Sequence, residues 1–183
     1  MKRSALYYSH HRQGATFAEY SGWELPAFFV AKEQEVSQIR QSVGIADTSH
    51  FFKFDLKSKT NEASWRLGAG HFLNLSETRS AIVVGIDVTS VYTSLRLVGP
   101  RSAEVLGKLT SLNVNSLANM SCAQASLAHV PAIFLHEDVG RLPAFHLLVT
   151  RDYAESVWDA ILHAGHEFRI CPYGLESLRM LSS

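Results

Sequence analysis

The chain has 183 residues, 46% of them hydrophobic and 19% charged, and its 17 Lys plus Arg balance 17 Asp plus Glu at a formal net charge of zero. That length suits one domain or two small lobes, and the charge balance argues against nucleic acid or an anionic membrane as main partner, since both need a basic excess. No apolar run nears the roughly 20 residues that cross a bilayer. The basic N-terminus lacks the apolar core of a secretory signal, and Cys122 and Cys171 form no CxxC pair, so a cytoplasmic protein with reduced thiols is expected.

In chain order, Ser4 is placed to cap a helix running to Arg12, with Gly14 as its stop. Residues 16–20 alternate and predict a short strand, Ser21-Gly22 a turn, and Pro26 the end of a loop around Trp23. Residues 32–42 predict a surface helix resting on Val36 and Ile39 and closed by Gly44; residues 51–56 predict the next strand. From 57 to 79 the chain is polar, is broken by Gly68 and Gly70, and carries no assignable pattern. Strands are expected at 81–86 and 92–98, and Gly99-Pro100 opens a helix over 101–109, with proline suited to its first turn.

Further strands are expected at 123–130 and 132–136, on either side of Pro131, and at 145–149. Asp152 is placed to cap a helix over 153–164 whose apolar face is Val157, Trp158, Ile161 and Leu162, with Gly165 as its end; a strand over 166–170 follows. From residue 92 onward the order is β-α-β-β-α-β, the split βαβ or ferredoxin-like arrangement.

Candidate chemistry is sparse when the residues are read alone. Asp47, Ser49 and His50 do not make a hydrolytic triad, because alternation along a strand turns His50 away from the other two. Asp47 is better suited to fixing a turn through backbone hydrogen bonds. The nine histidines show no metal-binding spacing, and no glycine-rich nucleotide loop is present.

Two segments say more. Gly22-Trp23-Glu24-Leu25-Pro26 and Gly44-Ile45-Ala46-Asp47-Thr48-Ser49-His50, with a helix between them, resemble the AGWEMP and GLFDVSH signatures of the glycine-cleavage T-protein family, which are tetrahydrofolate-dependent aminomethyltransferases. Leu97-Val98-Gly99-Pro100-Arg101 resembles that family's LQGPK helix entry, Val157-Trp158-Asp159-Ala160-Ile161 its WDAL helix, and Pro172-Tyr173-Gly174-Leu175 with Leu178-Arg179 the end of its central region. The resemblance implies an α+β fold of the T-protein folate-binding type, with a motif lobe over 1–56, a ferredoxin-like half over 80–183, and the family's C-terminal barrel absent.

It also implies folate- or substrate-binding roles for Trp23, Ser49, His50, Phe51, His146 and Arg179, although packing is the favoured role for Trp23 in its rigid Trp-Pro loop. Tetrahydrofolate is the implied cofactor, and no metal is implied. The family's catalytic acid lies in a GGIIDDL turn, and the stretch from Leu56 to Pro100 is too short to hold that region intact. Asp87, in Gly85-Ile86-Asp87, is its nearest echo. His146 stands where the family has a carboxylate for the pterin ring, and a neutral imidazole is not a bidentate acceptor.

Two functions remain open on these residues. One is an aminomethyltransferase-like protein of one-carbon, glycine or methylamine metabolism, with weak or partner-dependent catalysis and a lipoyl carrier protein as partner. The other is a non-catalytic gamma-type subunit of a heteromeric sarcosine-oxidase-like complex, partnered by a flavin amine-oxidase subunit. Both imply an oligomer or heteromer.

Overall fold

The computed structural model describes residues 1–59, 64–79 and 85–183. The chain opens with β1 (Lys2–Arg3), α1 (Tyr7–Arg12), β2 (Thr16–Tyr20), β3 (Trp23–Phe28), α2 (Lys32–Gln41), β4 (Gly44–Asp47) and β5 (Phe52–Leu56). A hairpin of β6 (Ser64–Gly68) and β7 (His71–Ser76) follows, then β8 (Ile86–Asp87), β9 (Tyr92–Val98) and α3 (Ser102–Gly107). The remainder is β10 (Cys122–Leu127), β11 (Val130–His136), β12 (Ala144–Thr150), α4 (Ala154–Ala164), β13 (Cys171–Pro172) and α5 (Leu175–Ser182).

A six-stranded sheet in the order β10-β11-β12-β9-β4-β13 organises the molecule. It follows the split βαβ path through β9, α3, β11, β12, α4 and β13, extended by β10 at one edge and by β4 inserted beside β9. Alternation along the strands gives each face its own cover. Leu95, Leu97, Phe145, Leu147 and Val149 turn to α3 and α4, where they meet Val105, Leu106, Val157, Trp158 and Ile161. On the opposite face, Ile133, Leu135 and Leu148 pack against Trp65, Leu73 and Leu75 of the β6–β7 hairpin. Ala46, Val98 and Ala144 pack against Val36 and Ile39 of α2 and Leu181 of α5. A sheet covered on both sides explains why its strands read as nearly continuous apolar runs.

The local differences from expectation have physical causes. Ser4 does not cap α1: its hydroxyl accepts from Leu6 N at 3.2 Å, which makes a turn ahead of a helix that starts at Tyr7. Pro26 lies inside β3, where a register shift at Thr16/Phe17 in β2 accommodates it. Gly44 begins β4 rather than closing α2; a Cβ there would stand 2.6 Å from Ile39 and 2.7 Å from Tyr173. The β10–β11 turn falls at Ala128-His129, both with positive φ, and Pro131 sits within β11 just before pairing to β12 begins at Ala132.

Asp152 makes no cap bond. Arg151–Tyr153 forms a 3-10 turn ahead of α4, and His166–Phe168 is a second 3-10 turn where a strand was expected. Of the strand expected at 81–86, residues 81–84 lie outside the described residues. Only Ile86 falls in β8. Among the described residues no helix is long and apolar enough to cross a membrane.

Candidate functional site

The face of the six-stranded sheet opposite α3 and α4 is covered at one end by α2 and α5 and at the other by the β6–β7 hairpin. Between the two covers the sheet carries polar side chains: Arg96 of β9 is the register partner of His146 on β12. They form the floor of a cleft of about 520 Å³. His50 and Phe51 enter it from the turn between β4 and β5, Glu137 from the end of β11, and Leu178 and Arg179 from α5.

Each side chain is fixed by local structure. β4 ends at Asp47, whose Oδ1 accepts from Ser49 N at 3.0 Å, and Phe51 N donates to the Thr48 carbonyl, so the chain turns there instead of continuing as a strand. That turn sends Asp47 inward, where His10 Nε2 lies 3.1 Å from Oδ2, and His50 outward to the cleft. Burial alone would raise the Asp47 carboxyl, but its bonds with His10, Ser4 and Ser49 outweigh that and hold it low. Lys53 is fully buried, and its ammonium donates to the carbonyls of Ser49 (3.0 Å) and Phe51 (2.8 Å), pinning the same turn. Burial pushes that amine down to about 7.

The polar groups of the cleft form one network. Arg96 Nη2 donates to the Glu137 carbonyl at 2.6 Å and lies 3.9 Å from Glu137 Oε2. His146 Nε2 donates to the same Oε2 at 2.9 Å, and this hydrogen bond holds the Glu137 carboxyl below the usual range. Burial pushes His146 down to about 3 and His50 to about 4, so both rings are neutral at neutral pH. Among the described residues that line the cleft, three have a buried atom without a protein partner: Arg96 Nη1, His146 Nδ1 and His50 Nδ1. A buried polar atom without a partner carries a free-energy cost that a bound ligand or water removes.

Four of the residues singled out in the sequence, His50, Phe51, His146 and Arg179, come together here. Three do not. Trp23 is buried in the β2–β3 hairpin against Tyr20, Leu25 and Leu175, with the Lys2 ammonium over its ring at 5.5 Å, and does not line the cleft. Ser49 is buried, and its hydroxyl accepts from Ser94 N at 3.4 Å. Asp87 lies outside the cleft on β8, with its side chain 44% exposed, accepting from Thr89 N at 2.9 Å and standing 3.8 Å from Arg79. Slight burial raises its carboxyl, but the bonds with Thr89 prevail and hold it low, as a carboxylate rather than an acid.

Reading the residues alone missed Arg96 and Glu137. A single arginine in the otherwise apolar and hydroxylic Tyr92–Val98 strand was the available signal, since a charge in a central strand needs a reason. Among the described residues no group of three or more His, Cys, Asp or Glu is arranged to hold a metal ion.

The aminomethyltransferase of Acidobacterium capsulatum is 23% identical over 227 positions, covering 96% of this chain and 60% of that protein. That of Desulfitobacterium hafniense is 23% identical, with 96% and 61% covered. The chain thus spans about three fifths of the length of these curated relatives. The glycine cleavage system aminomethyltransferase T from Bartonella henselae superposes with a TM-score of 0.81 at 18% identity, over 99% of this chain and 62% of that one. A chain of the heterotetrameric sarcosine oxidase from Corynebacterium sp. U-96, solved with pyrrole 2-carboxylate, gives 0.64 at 15% identity, over 91% of this chain and 96% of that one.

These likenesses establish an α+β fold of the T-protein type. The family described as GCVT N-terminal domain matches residues 6–65 and 63–182, nearly the whole length, and the chain belongs to that family.

Proposed function

We propose that this chain binds a folate-type ligand in the Arg96–His146 cleft and serves aminomethyl or methylamine metabolism beside a partner protein. The observation that carries this reading is the set of three buried, unpartnered polar atoms, on Arg96, His146 and His50, around a cleft of ring-binding size. His50, Phe51, His146, Glu137 and Arg179 are the residues that would hold the ligand. Tetrahydrofolate, when bound, supplies the amine that accepts a one-carbon unit. The chain's own part is to orient that ligand and keep water from one face of it.

Partner dependence is supported by the likeness to a chain of a heterotetrameric sarcosine oxidase. His50 and His146 are held neutral and Glu137 ionised, so none of these three is a poised proton donor near pH 7. Titration calorimetry of the purified chain with tetrahydrofolate tests the reading: saturable binding weakened by substitution in the cleft supports it, and no binding refutes it. The cytoplasm, with Cys122 and Cys171 free, is the compartment this reading implies.

A second reading, a gamma-type subunit of a sarcosine-oxidase-like complex, is favoured by one observation. A chain of the heterotetrameric sarcosine oxidase superposes over 91% of this chain with a TM-score of 0.64. Affinity purification of the tagged chain decides between the two. Recovery of flavin amine-oxidase subunits supports the subunit, and recovery of a lipoyl carrier protein supports the transferase.

A further inference from the structure

Lys53 is a buried amine that bonds to no carboxylate among the described residues. Its side chain is fully buried, and its ammonium donates to two backbone carbonyls, those of Ser49 at 3.0 Å and Phe51 at 2.8 Å. Burying a charge is costly, and an apolar side chain would fill the same space without that cost, so the two bonds need a reason. They flank the dipeptide His50-Phe51. The Ser49 carbonyl belongs to the peptide plane before His50, and the Phe51 carbonyl to the plane after Phe51. One amine thus fixes the backbone at both ends of the dipeptide that faces the cleft.

The backbone of Lys53 is anchored elsewhere. Its N–H donates to Thr89 Oγ1 at 3.0 Å, and its carbonyl accepts from Val88 N at 2.9 Å. The side chain is therefore a strut between the 88–89 segment and the turn after β4. What it supports is a wall of the cleft. The Phe51 ring lies 4.9 Å from the His50 ring and 5.8 Å from the His146 ring.

We infer that Lys53 is a positioning residue for the cleft: its charged amine holds His50 and Phe51 in their binding positions, and the neutral amine holds them less firmly. This rests on the folate-type reading above and deepens it, adding control of ligand affinity by protonation. A hydrogen bond from a charged donor is roughly twice as strong as one from a neutral donor, so both carbonyl bonds weaken when the proton leaves. Burial brings that loss down to about pH 7, against Asp47 at the end of β4 and Asp87 on β8, which favour the charged form. The other ionisable groups nearby are His50 in the turn, His146 on β12, and Glu77, 4.0 Å from His50 beyond the end of β7. Asp55, two residues along β5, is paired with His71 at 3.1 Å. Both cleft imidazoles protonate only at about 4 and about 3, so they stay neutral while Lys53 titrates.

The first test needs no ligand. Nuclear magnetic resonance of the wild type follows the Lys53 methylene beside the amine, and the nuclear Overhauser contact between the Phe51 and His146 rings, as pH rises. The methylene should titrate with a midpoint of about 7, and the ring contact should weaken with the same midpoint. The second test titrates 5-formyltetrahydrofolate by calorimetry at about pH 6 and about pH 8, a range over which its own groups keep their charge. Wild type should bind it about 3- to 10-fold more weakly at the higher pH. Lys53→Met keeps most of the length and removes the amine. Once its melting shows it folded, it should bind at the weak level at both pH values. Lys53→Gln, an uncharged donor, should bind more tightly than Lys53→Met and also lose the pH slope.

A ring contact that keeps its strength while Lys53 titrates overturns the inference. So does a Lys53 midpoint at the ordinary value of about 10.4, or a pH slope that survives in Lys53→Met. If wild type binds 5-formyltetrahydrofolate at neither pH, the folate reading fails, and the ring contact alone decides the inference, as it does if neither variant folds.

Discussion

At the scale of single residues, the buried titratable groups tie stability to pH. His50 and His146 have pKa values of about 4 and about 3 in the folded chain, pushed down by burial. In the unfolded chain imidazoles titrate near pH 6.5. Below that value the unfolded state therefore binds more protons than the native state. Stability from these two groups is complete above about pH 6.5 and is lost as pH falls. The midpoint of urea unfolding should drop between about pH 7 and about pH 4.5, and His50→Gln with His146→Gln together should flatten that slope. Asp87 has a different expected profile. Lying outside the cleft, Asp87→Asn should change ligand affinity less than about twofold, within ordinary surface effects. A larger loss would bring Asp87 into the site. Trp158, fully buried against α3 and the sheet, should cost about 3–5 kcal/mol on Trp158→Ala in denaturant titrations.

At the scale of elements, the wall that α5 gives the cleft depends on one carboxylate in α2. Glu35 is 1% exposed and accepts from Phe29 N (2.6 Å) and Val30 N (3.1 Å) at the end of β3. Its other oxygen accepts from Gly174 N (3.0 Å) and from the Ser177 hydroxyl at the start of α5. Four donors thus converge on one side chain, joining α2, β3 and α5. Glu35→Ala should destabilise by about 3 kcal/mol, since several buried donors lose their acceptor at once, and should weaken ligand binding by loosening Leu178 and Arg179. Unchanged affinity in the folded variant would show that α5 keeps its place without the clamp. Element boundaries were legible where the period or the turn chemistry was strong. The strands at 16–20 and 92–98 match their expected limits, and Ser21-Gly22, both with positive φ, form the turn the sequence implied. The β6–β7 hairpin was not legible, because its strands are short and only Trp65, Leu73 and Leu75 are buried in the core.

At the scale of the whole molecule, the chain is expected to associate with another protein. Sedimentation velocity of the purified chain should show a dimer or, with the cognate partner present, a heteromer. A strictly monomeric preparation that transfers an aminomethyl group to tetrahydrofolate would refute the partner-dependent reading. The sequence by itself determined the family and much of the order of elements, because the Trp-Pro and Asp-Thr-Ser-His segments and the apolar periods are local properties of the chain. It also marked His50, Phe51, His146 and Arg179. Only the tertiary structure decided what surrounds them. Arg96, Glu137 and His146 meet because antiparallel register places β9 beside β12, and because Glu137 leaves β11 at the end of its pairing with β12. Contacts across 41 residues of chain leave no local pattern to read, and the carboxylate that stands beside His146 is visible only once the sheet is assembled.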